Sequence, residues 1–335
     1  MPPYTYKHIR VGNSSKDRQF AQRSVLWKAI RRTMLTGSTA GVLVHRSAKD
    51  TTTKAALQKS YREVDRLEMT GIGALNCAYG TNMEDRALGE YVKCVKRFYE
   101  VNNPTSTVDV RVDQVSFYVE KAGLLMASPD GEVHVTLTHA DGTVETSNGV
   151  VEVKCPASSF FAKRGSYKDV KTPITHAMYS DLLPVSTSTR KYGPPGFPKP
   201  RLDLHTPRTV KEMYCNPTSE FGAAGLYSQY YFQCVANLML STLEWVDFYV
   251  WTDPTKHRDP QDGEPKGHRF YYKDPEDEFA SVHLERLYAC DPVVIRDWEA
   301  LLEAAREWSR ENQAVLRRNI DLFLLTVLGE AYPLR

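Results

Sequence analysis

The amino-acid sequence predicts an α/β protein in which a central mixed β-sheet is flanked by helices. Three observations support this class. Several helical patterns lie in the first 100 residues, strands with turn signals fill residues 108–155, and a strong helix at 225–243 is followed by an apolar strand at 245–251. At 335 residues the chain is long enough to bury a large core, as one domain or as two.

Four helices are predicted ahead of the strands. The first, at 20–34, has its apolar residues on one face and ends at an arginine pair. Ser38 is a suitable N-cap for the second, and a third is predicted at 54–67. The fourth is predicted at 80–100, which puts Glu84 in its first turn, where an acid suits the helix dipole.

A β-meander is predicted in the middle of the chain. Two dipeptides, Asp141-Gly142 and Asn148-Gly149, are typical of tight turns between strands. The meander would present Asp130 and Glu152 on neighbouring strands. The predicted strands are 115–120, 124–127, 133–138 and 150–155.

The second half of the chain begins with a long segment, 158–224, that lacks regular periodicity and reads as a lid or a linker. Beyond the helix and strand at 225–251, a polar loop with a short strand at 269–272 leads to an alternating strand at 282–289. Asp291 and Pro292 then cap a helix, with the proline at its first position. A last apolar segment, 322–328, needs burial in this subunit or in a neighbour.

The overall composition is that of an ordinary soluble globular protein, with 41% hydrophobic and 25% charged residues. The sequence has no apolar run long enough for a transmembrane helix, and the polar N-terminus has no signal core. We therefore expect an intracellular protein of the cytoplasm or nucleus that is neither secreted nor bound to membranes. The six cysteines form no C-x-x-C pair, which argues against a zinc site and against a disulfide framework.

The charge is unevenly distributed along the chain. The formal net charge is only +2, but residues 1–62 hold 13 lysines and arginines against two acids, Asp17 and Asp50. Such a basic region suggests a polyanionic partner. A solvated basic helix face would give the same composition, and charge alone does not decide between the two.

Two stretches point to a chemically active site. They are Ser128-Pro129-Asp130-Gly131 and Glu152-Val153-Lys154-Cys155-Pro156. In a strand, residues two apart point to the same face, so Glu152 and Lys154 project together. If Asp130 lies against that face, two carboxylates meet one ammonium, and a divalent cation would relieve their repulsion. The Val153 carbonyl could supply a third oxygen, as hard cations prefer. An isolated E-x-K pair on a surface strand is the plain alternative.

The two stretches together resemble the PD-(D/E)xK nucleases and, within them, the lambda exonuclease family of YqaJ-like viral recombinases. Further motifs follow in the family's order across most of the chain. They are Trp27-x-x-x-Arg31 with Leu35-Thr36-Gly37-Ser38, Gly80-x-x-x-Glu84, and Tyr230-x-x-Gln233 with Trp245 and Phe248 downstream.

The resemblance implies a role for each matched residue. Asp130, Glu152 and the Val153 carbonyl would bind Mg²⁺, with Mn²⁺ as a substitute, and Lys154 would position the attacking water. Glu84 and Gln233 would complete the catalytic site through water and phosphate contacts. The residues matching a pocket for the substrate phosphate are Arg31, Ser38, Ser128 and Tyr230.

The resemblance also implies a restriction-endonuclease-like core in a single nuclease domain spanning 1–335. Its parts would be a helical region at 1–105, a catalytic core at 106–156 and 225–290, an insertion at 157–224, and C-terminal helices at 291–335. The implied activity is hydrolysis of double-stranded DNA from its ends, 5′ to 3′, in recombination. A single-strand annealing protein and further copies of the chain are the other implied partners, although the insertion and the additional C-terminal helix put a phage-type trimeric ring in doubt.

Two other functions stay open at this stage. One is an endonuclease or RNA-cleaving relative of the alkaline nuclease type, and the other is a catalytically inactive DNA-binding protein. The intact Asp130, Glu152 and Lys154 argue against the inactive protein.

Overall fold

The structure is a computed structural model that describes residues 9–11, 22–44, 61, 72–155, 226, 228–251 and 282–331. These residues form a central mixed β-sheet with helices on both faces and a smaller second sheet beside it. The predicted α/β class, with a central mixed β-sheet flanked by helices, is therefore confirmed.

The strands fall into two sheets. In chain order they are β1 (Ile9–Val11), β2 (Leu35–Thr36), β3 (Thr107–Asp113), β4 (Phe117–Val119), β5 (Leu125–Ala127), β6 (Gly131–Thr138), β7 (Val144–Lys154), β8 (Trp245–Trp251) and β9 (Val282–Tyr288). The large sheet has the order β3-β6-β7-β8-β9, and only its β7–β8 pair is parallel. The small sheet has the order β1-β4-β5-β2.

Helices cover both faces of the large sheet. They are α1 (Val25–Ile30), α2 (Gly37–Val44), α3 (Ile72–Asn102), α4 (Ser228–Ser241), α5 (Pro292–Glu311) and α6 (Gln313–Ala331). Apolar residues of α3, such as Tyr91 and Val95, pack against one face through Val151 and Val153 of β7. Helices α4 and α5 pack against the other face, where Val150 lies in their core. Alternate residues of β7 therefore enter two different cores.

Several predicted boundaries are confirmed closely. Strand β8 covers the predicted residues 245–251, and β9 ends one residue before the predicted 289. Asp291 caps α5 by accepting a hydrogen bond from the backbone N–H of Val293, and Pro292 occupies the first position of the helix. Gly142 adopts a φ of 83°, as the predicted Asp141-Gly142 turn requires.

Other local predictions are wrong. Helix α1 begins at Val25, not at residue 20, because the Ser24 side chain caps it by accepting from the N–H of Trp27. Helix α2 begins at Gly37, so Ser38 lies inside its first turn and is not the N-cap. The predicted turn at Asn148-Gly149 is part of β7. A Cβ on Gly149 would lie 2.2 Å from the Trp245 ring, which explains a glycine within this strand.

Some predictions lie outside the described residues. They are the insertion at 157–224, the short strand at 269–272 and, apart from Tyr61, the helix at 54–67. None of the described helices is long and apolar enough to span a bilayer.

Candidate active site

The paired strands β6 and β7 bring Asp130 and Glu152 together. Gly131 is paired with Val151 in this antiparallel ladder, so Asp130, one residue before β6, lies opposite Glu152. The backbone N–H of Asp130 donates to the Val151 carbonyl at 2.9 Å. Glu152 and Lys154 share one face of β7, as strand alternation predicts, and the Lys154 ammonium contacts Glu152 Oε1.

Burial and neighbouring charges shift the pKa values of Asp130 and Lys154. Burial, followed by the negative charge of Glu152, raises the pKa of the Asp130 carboxyl well above its usual value, although Lys154 opposes the shift. The N–H of Val153 also favours the ionised form by donating to Asp130 Oδ2 at 2.6 Å. Burial lowers the pKa of Lys154, but the charges of Glu152 and Asp130 outweigh it and raise that pKa. The site thus concentrates negative charge that one ammonium does not fully balance.

The chemistry of the donor set bears on which metal could bind. Among the residues that the structure describes, no group of three or more His, Cys, Asp or Glu side chains is arranged to hold a metal ion. The site instead offers the carboxylates of Asp130 and Glu152 beside the backbone of Val153 in one cleft. Oxygen donors of this kind suit hard cations such as Mg²⁺, which keep several water ligands and need few from the protein. The residues present therefore fit a magnesium ion.

Two amide side chains of α4 bind Glu152 on the face of the large sheet that α4 and α5 cover. Gln233 donates from Nε2 to Oε1 at 2.6 Å, and Asn237, one helical turn later, donates from Nδ2 to Oε2 at 2.7 Å. Gln233 was predicted as a site residue and Asn237 was not. The spacing of four residues on a helix, which puts both amides on one face, is the signal that could have revealed Asn237.

Glu84 reaches the same cleft from the other side of the sheet. Because α3 begins at Ile72, Glu84 lies in the helix interior, and the predicted placement in the first turn is wrong. A role at the N-terminal end of the helix dipole therefore does not apply to it. Its carboxylate forms an ion pair with Arg23, a residue with a φ of 71°. Sequence reasoning missed Arg23, because nothing local distinguishes it from the other arginines of the basic N-terminal region.

Three of the predicted phosphate-binding residues form a second group in the same cleft. The Arg31 guanidinium donates to Ser38 Oγ at 3.3 Å and lies 4.3 Å from the centre of the Trp27 ring. The indole N–H of Trp27 donates to Ser128 Oγ at 3.1 Å. Burial lowers the pKa of Arg31, and the charges of Tyr61 and Glu152 oppose this shift. A guanidinium stays charged in proteins.

Gln22 connects this group to the carboxylates, and it too was missed. Its side-chain amide donates to the carbonyls of Pro129 at 2.8 Å and Val115 at 3.0 Å. The first of these bonds holds the loop that carries Ser128 and Asp130. No sequence signal could have identified this contact, since the bonded residues lie about 100 positions apart.

Nine of the ten predicted site residues line a single cleft of about 560 Å³. They are Arg31, Ser38, Glu84, Ser128, Asp130, Glu152, Val153, Lys154 and Gln233. The structure does not bring Tyr230 to this lining, and its ring packs against Phe248 with 5.7 Å between ring centres. Gln22, Arg23, Trp27 and Asn237 also line the cleft.

Comparisons with known proteins found one matching family model and distant similarity to solved structures. Residues 26–179 match the model of the YqaJ-like viral recombinase domain. Crystal structures of an alkaline exonuclease from Laribacter hongkongensis, one of them in complex with dAMP, align with a TM-score of 0.40 and 18% identity. These alignments cover 88% of this chain and 98% of theirs. No curated protein sequence matches the chain.

Proposed function

We propose that this protein, whose residues 26–179 match the model of the YqaJ-like viral recombinase domain, is a magnesium-dependent exonuclease that degrades double-stranded DNA from its 5′ ends. The observation that carries the proposal is the single cleft in which paired carboxylates and a lysine lie beside a half-buried arginine with hydroxyl groups. The first group suits phosphodiester hydrolysis, and the second suits the binding of a terminal phosphate. An annealing partner, self-association and the cellular compartment stay predictions.

Asp130, Glu152 and the Val153 carbonyl would hold Mg²⁺, and Mn²⁺ would substitute for it. When bound, the cation would lower the pKa of a water and stabilise charge on the phosphate. Lys154 presents its ammonium beside these carboxylates, where it would donate hydrogen bonds to the attacking water or to a phosphate oxygen. Gln233 keeps Glu152 oriented, and Glu84 adds an acceptor for a water at the cleft wall.

The second group of residues in the cleft would bind the DNA end. Arg31 contributes a charged guanidinium, while Ser38 and Ser128 contribute hydroxyl donors. Charge-assisted hydrogen bonds of this kind hold a substrate in register without taking part in its chemistry. A terminal phosphate held there would place the neighbouring phosphodiester bonds towards the carboxylates, which would favour stepwise digestion from that end.

The test is digestion of linear duplex DNA labelled at either its 5′ or its 3′ end, beside closed circular DNA and RNA, with Mg²⁺ or with a chelator. We expect the 5′ label to be released first, the circle and the RNA to survive, and the chelator to stop the reaction. Asp130→Ala should reduce digestion to background because a metal-binding carboxylate is lost. The matched control is Asp109→Ala, which removes an exposed acid of β3 outside the cleft.

Each alternative function has its own result in this experiment. Cutting of the circle or of RNA at a rate similar to that of the linear duplex would favour an endonuclease or an RNA-cleaving enzyme. DNA binding without digestion would indicate an inactive DNA-binding protein. Wild-type turnover by Asp130→Ala would rule out the assignment of the metal site.

A further inference from the structure

Asn237 is a buried polar residue within an otherwise apolar part of α4. Its neighbours in the helix, Val235, Ala236, Leu238 and Met239, are buried in the core, and only 1% of Asn237 itself is exposed. An amide in such a place costs about 1–3 kcal/mol unless it is hydrogen-bonded. The bond that compensates for this cost is the one from Asn237 Nδ2 to Glu152 Oε2.

The two oxygens of Glu152 depend on different donors. Oε1 accepts from both Lys154 and Gln233, whereas Oε2 accepts from Asn237. Within the described part of the chain, Asn237 is the only hydrogen-bond donor to Oε2. Because Glu152 is just 2% exposed, water cannot readily take the place of that donor. Loss of the Asn237 amide would leave one buried carboxylate oxygen without a partner.

The backbone that carries Asn237 has little freedom to move. Helices α2 and α4 approach so closely that a Cβ on Gly37 would lie 3.0 Å from Ala236 Cβ. On the sheet side, Leu238 and Leu240 are fully buried in the large core. Close packing of this kind fixes the helix relative to β7. The Asn237 amide is therefore a rigid reference point for the carboxylate.

We propose that Asn237 is a positioning residue, which fixes the plane of the Glu152 carboxylate for a divalent cation. Two bonds from one helix, at Oε1 and at Oε2, prevent the carboxylate from rotating about its terminal torsion, which a single bond would permit. Outer partners of this kind typically change metal affinity or activity by about 10- to 100-fold. The inference rests on the proposed metal site at Asp130 and Glu152.

The experiment measures Mn²⁺ binding to the DNA-free protein by electron paramagnetic resonance, which does not depend on activity. We expect Asn237→Ala to weaken Mn²⁺ binding by about 10- to 100-fold. Asn237→Ser keeps a small polar group that is too short to reach Oε2. If the alanine variant does not fold, the serine variant takes its place, and we expect the same loss of Mn²⁺ affinity. In digestion assays, both variants should need more Mg²⁺ for half-maximal rate, while the KM for DNA stays near that of the wild type.

The matched control is Asn312→Ala. Asn312 is also a buried asparagine, and its Nδ2 donates to the Trp308 carbonyl at 2.9 Å, outside the cleft. Its loss should lower thermal stability without changing Mn²⁺ affinity.

Three outcomes would overturn the inference. Wild-type affinity in a folded Asn237 variant would show that the bond does not position the carboxylate. An equal loss of affinity in Asn312→Ala would show a general effect of stability. Absence of Mn²⁺ binding by the wild type would remove the proposed metal site itself, and the inference with it.

Discussion

Arg31 is a half-buried cation whose closest contacts carry no charge. Its guanidinium lies over the Trp27 ring and donates to the Ser38 hydroxyl. In the described part of the chain it forms no ion pair with a carboxylate. A half-buried charge without a counter-ion loses part of its hydration, so the arrangement favours an anionic ligand, and a terminal phosphate would supply two negative charges.

The position of Arg31 leads to a prediction about the end of the DNA substrate. Arg31→Ala should lower the rate on 5′-phosphorylated ends by about 10- to 150-fold, the range that corresponds to hydrogen bonds of about 1.5–3 kcal/mol to charged groups. The rate on 5′-hydroxyl ends should change little, because those ends do not use the guanidinium. The test is to compare the initial digestion rates on the two kinds of end for the wild type and the variant.

Arg32→Ala provides the matched control, since Arg32 follows directly in the chain but does not line the cleft. It should keep the wild-type preference for phosphorylated ends. An Arg31→Ala protein with an unchanged ratio between the two ends would contradict the phosphate pocket and favour an endonuclease.

At the scale of elements, helix α3 is tied to the large sheet by a buried polar cluster. Asp247 of β8 accepts two hydrogen bonds from Arg286 of β9, both at 2.7 Å, and one from Tyr91 of α3 at 2.6 Å. Arg286 also donates to Tyr99, one helical turn short of the end of α3. Burial lowers the pKa of Arg286, but the bonds and charge of Asp247 outweigh it and raise that pKa. The cluster holds the helix that carries Glu84 to the cleft.

We expect Arg286→Met to lower the free energy of unfolding by about 3–5 kcal/mol, because it leaves the fully buried Asp247 carboxylate without its counter-ion. Urea denaturation measures the change. Arg306→Met, which removes an exposed pair with Glu303, should change the free energy of unfolding by less than about 1 kcal/mol. Similar losses in the two variants would mean that the buried cluster does not stabilise the helix.

At the scale of the whole molecule, the C-terminal helix α6 closes onto the N-terminal part of the chain. Asn319 donates to the carbonyls of Arg32 at 2.7 Å and Tyr61 at 3.1 Å. Phe323 packs against the small core that contains Trp27 and Ile30. The last helix therefore supports α1, which is directly followed by Arg31 of the predicted phosphate pocket.

Asn319→Ala should lower the free energy of unfolding by about 1–3 kcal/mol, because buried carbonyls lose their donor. It should also reduce the preference for 5′-phosphorylated ends, since α1 becomes less firmly held. Denaturation and the end-preference assay measure the two effects. Asn102→Ala removes an exposed asparagine that bonds to its own helix and should change stability by less than about 0.5 kcal/mol. A wild-type end preference in Asn319→Ala would show that α6 does not support the pocket.

Predictions from the sequence were accurate where neighbours along the chain decide the structure. Strand alternation placed Glu152 and Lys154 on one face of β7, and the cap at Asp291 located the start of α5. The predictions failed where residues far apart in the sequence decide the local structure. The turn signal at Asn148-Gly149 is overridden because the Trp245 ring occupies the space beside Gly149 and the strand continues.

The sequence alone was enough to predict the α/β class, the strand that carries Glu152 and Lys154, and nine of the residues that line the cleft. These depend on residue spacing and on motifs that are written locally in the chain. Three further contacts are visible only in the folded molecule: Gln22 anchors the Pro129 loop, Arg23 pairs with Glu84, and Asn237 holds Glu152. Each of these contacts joins residues at least 61 positions apart, so it exists only after the helices pack on the sheet.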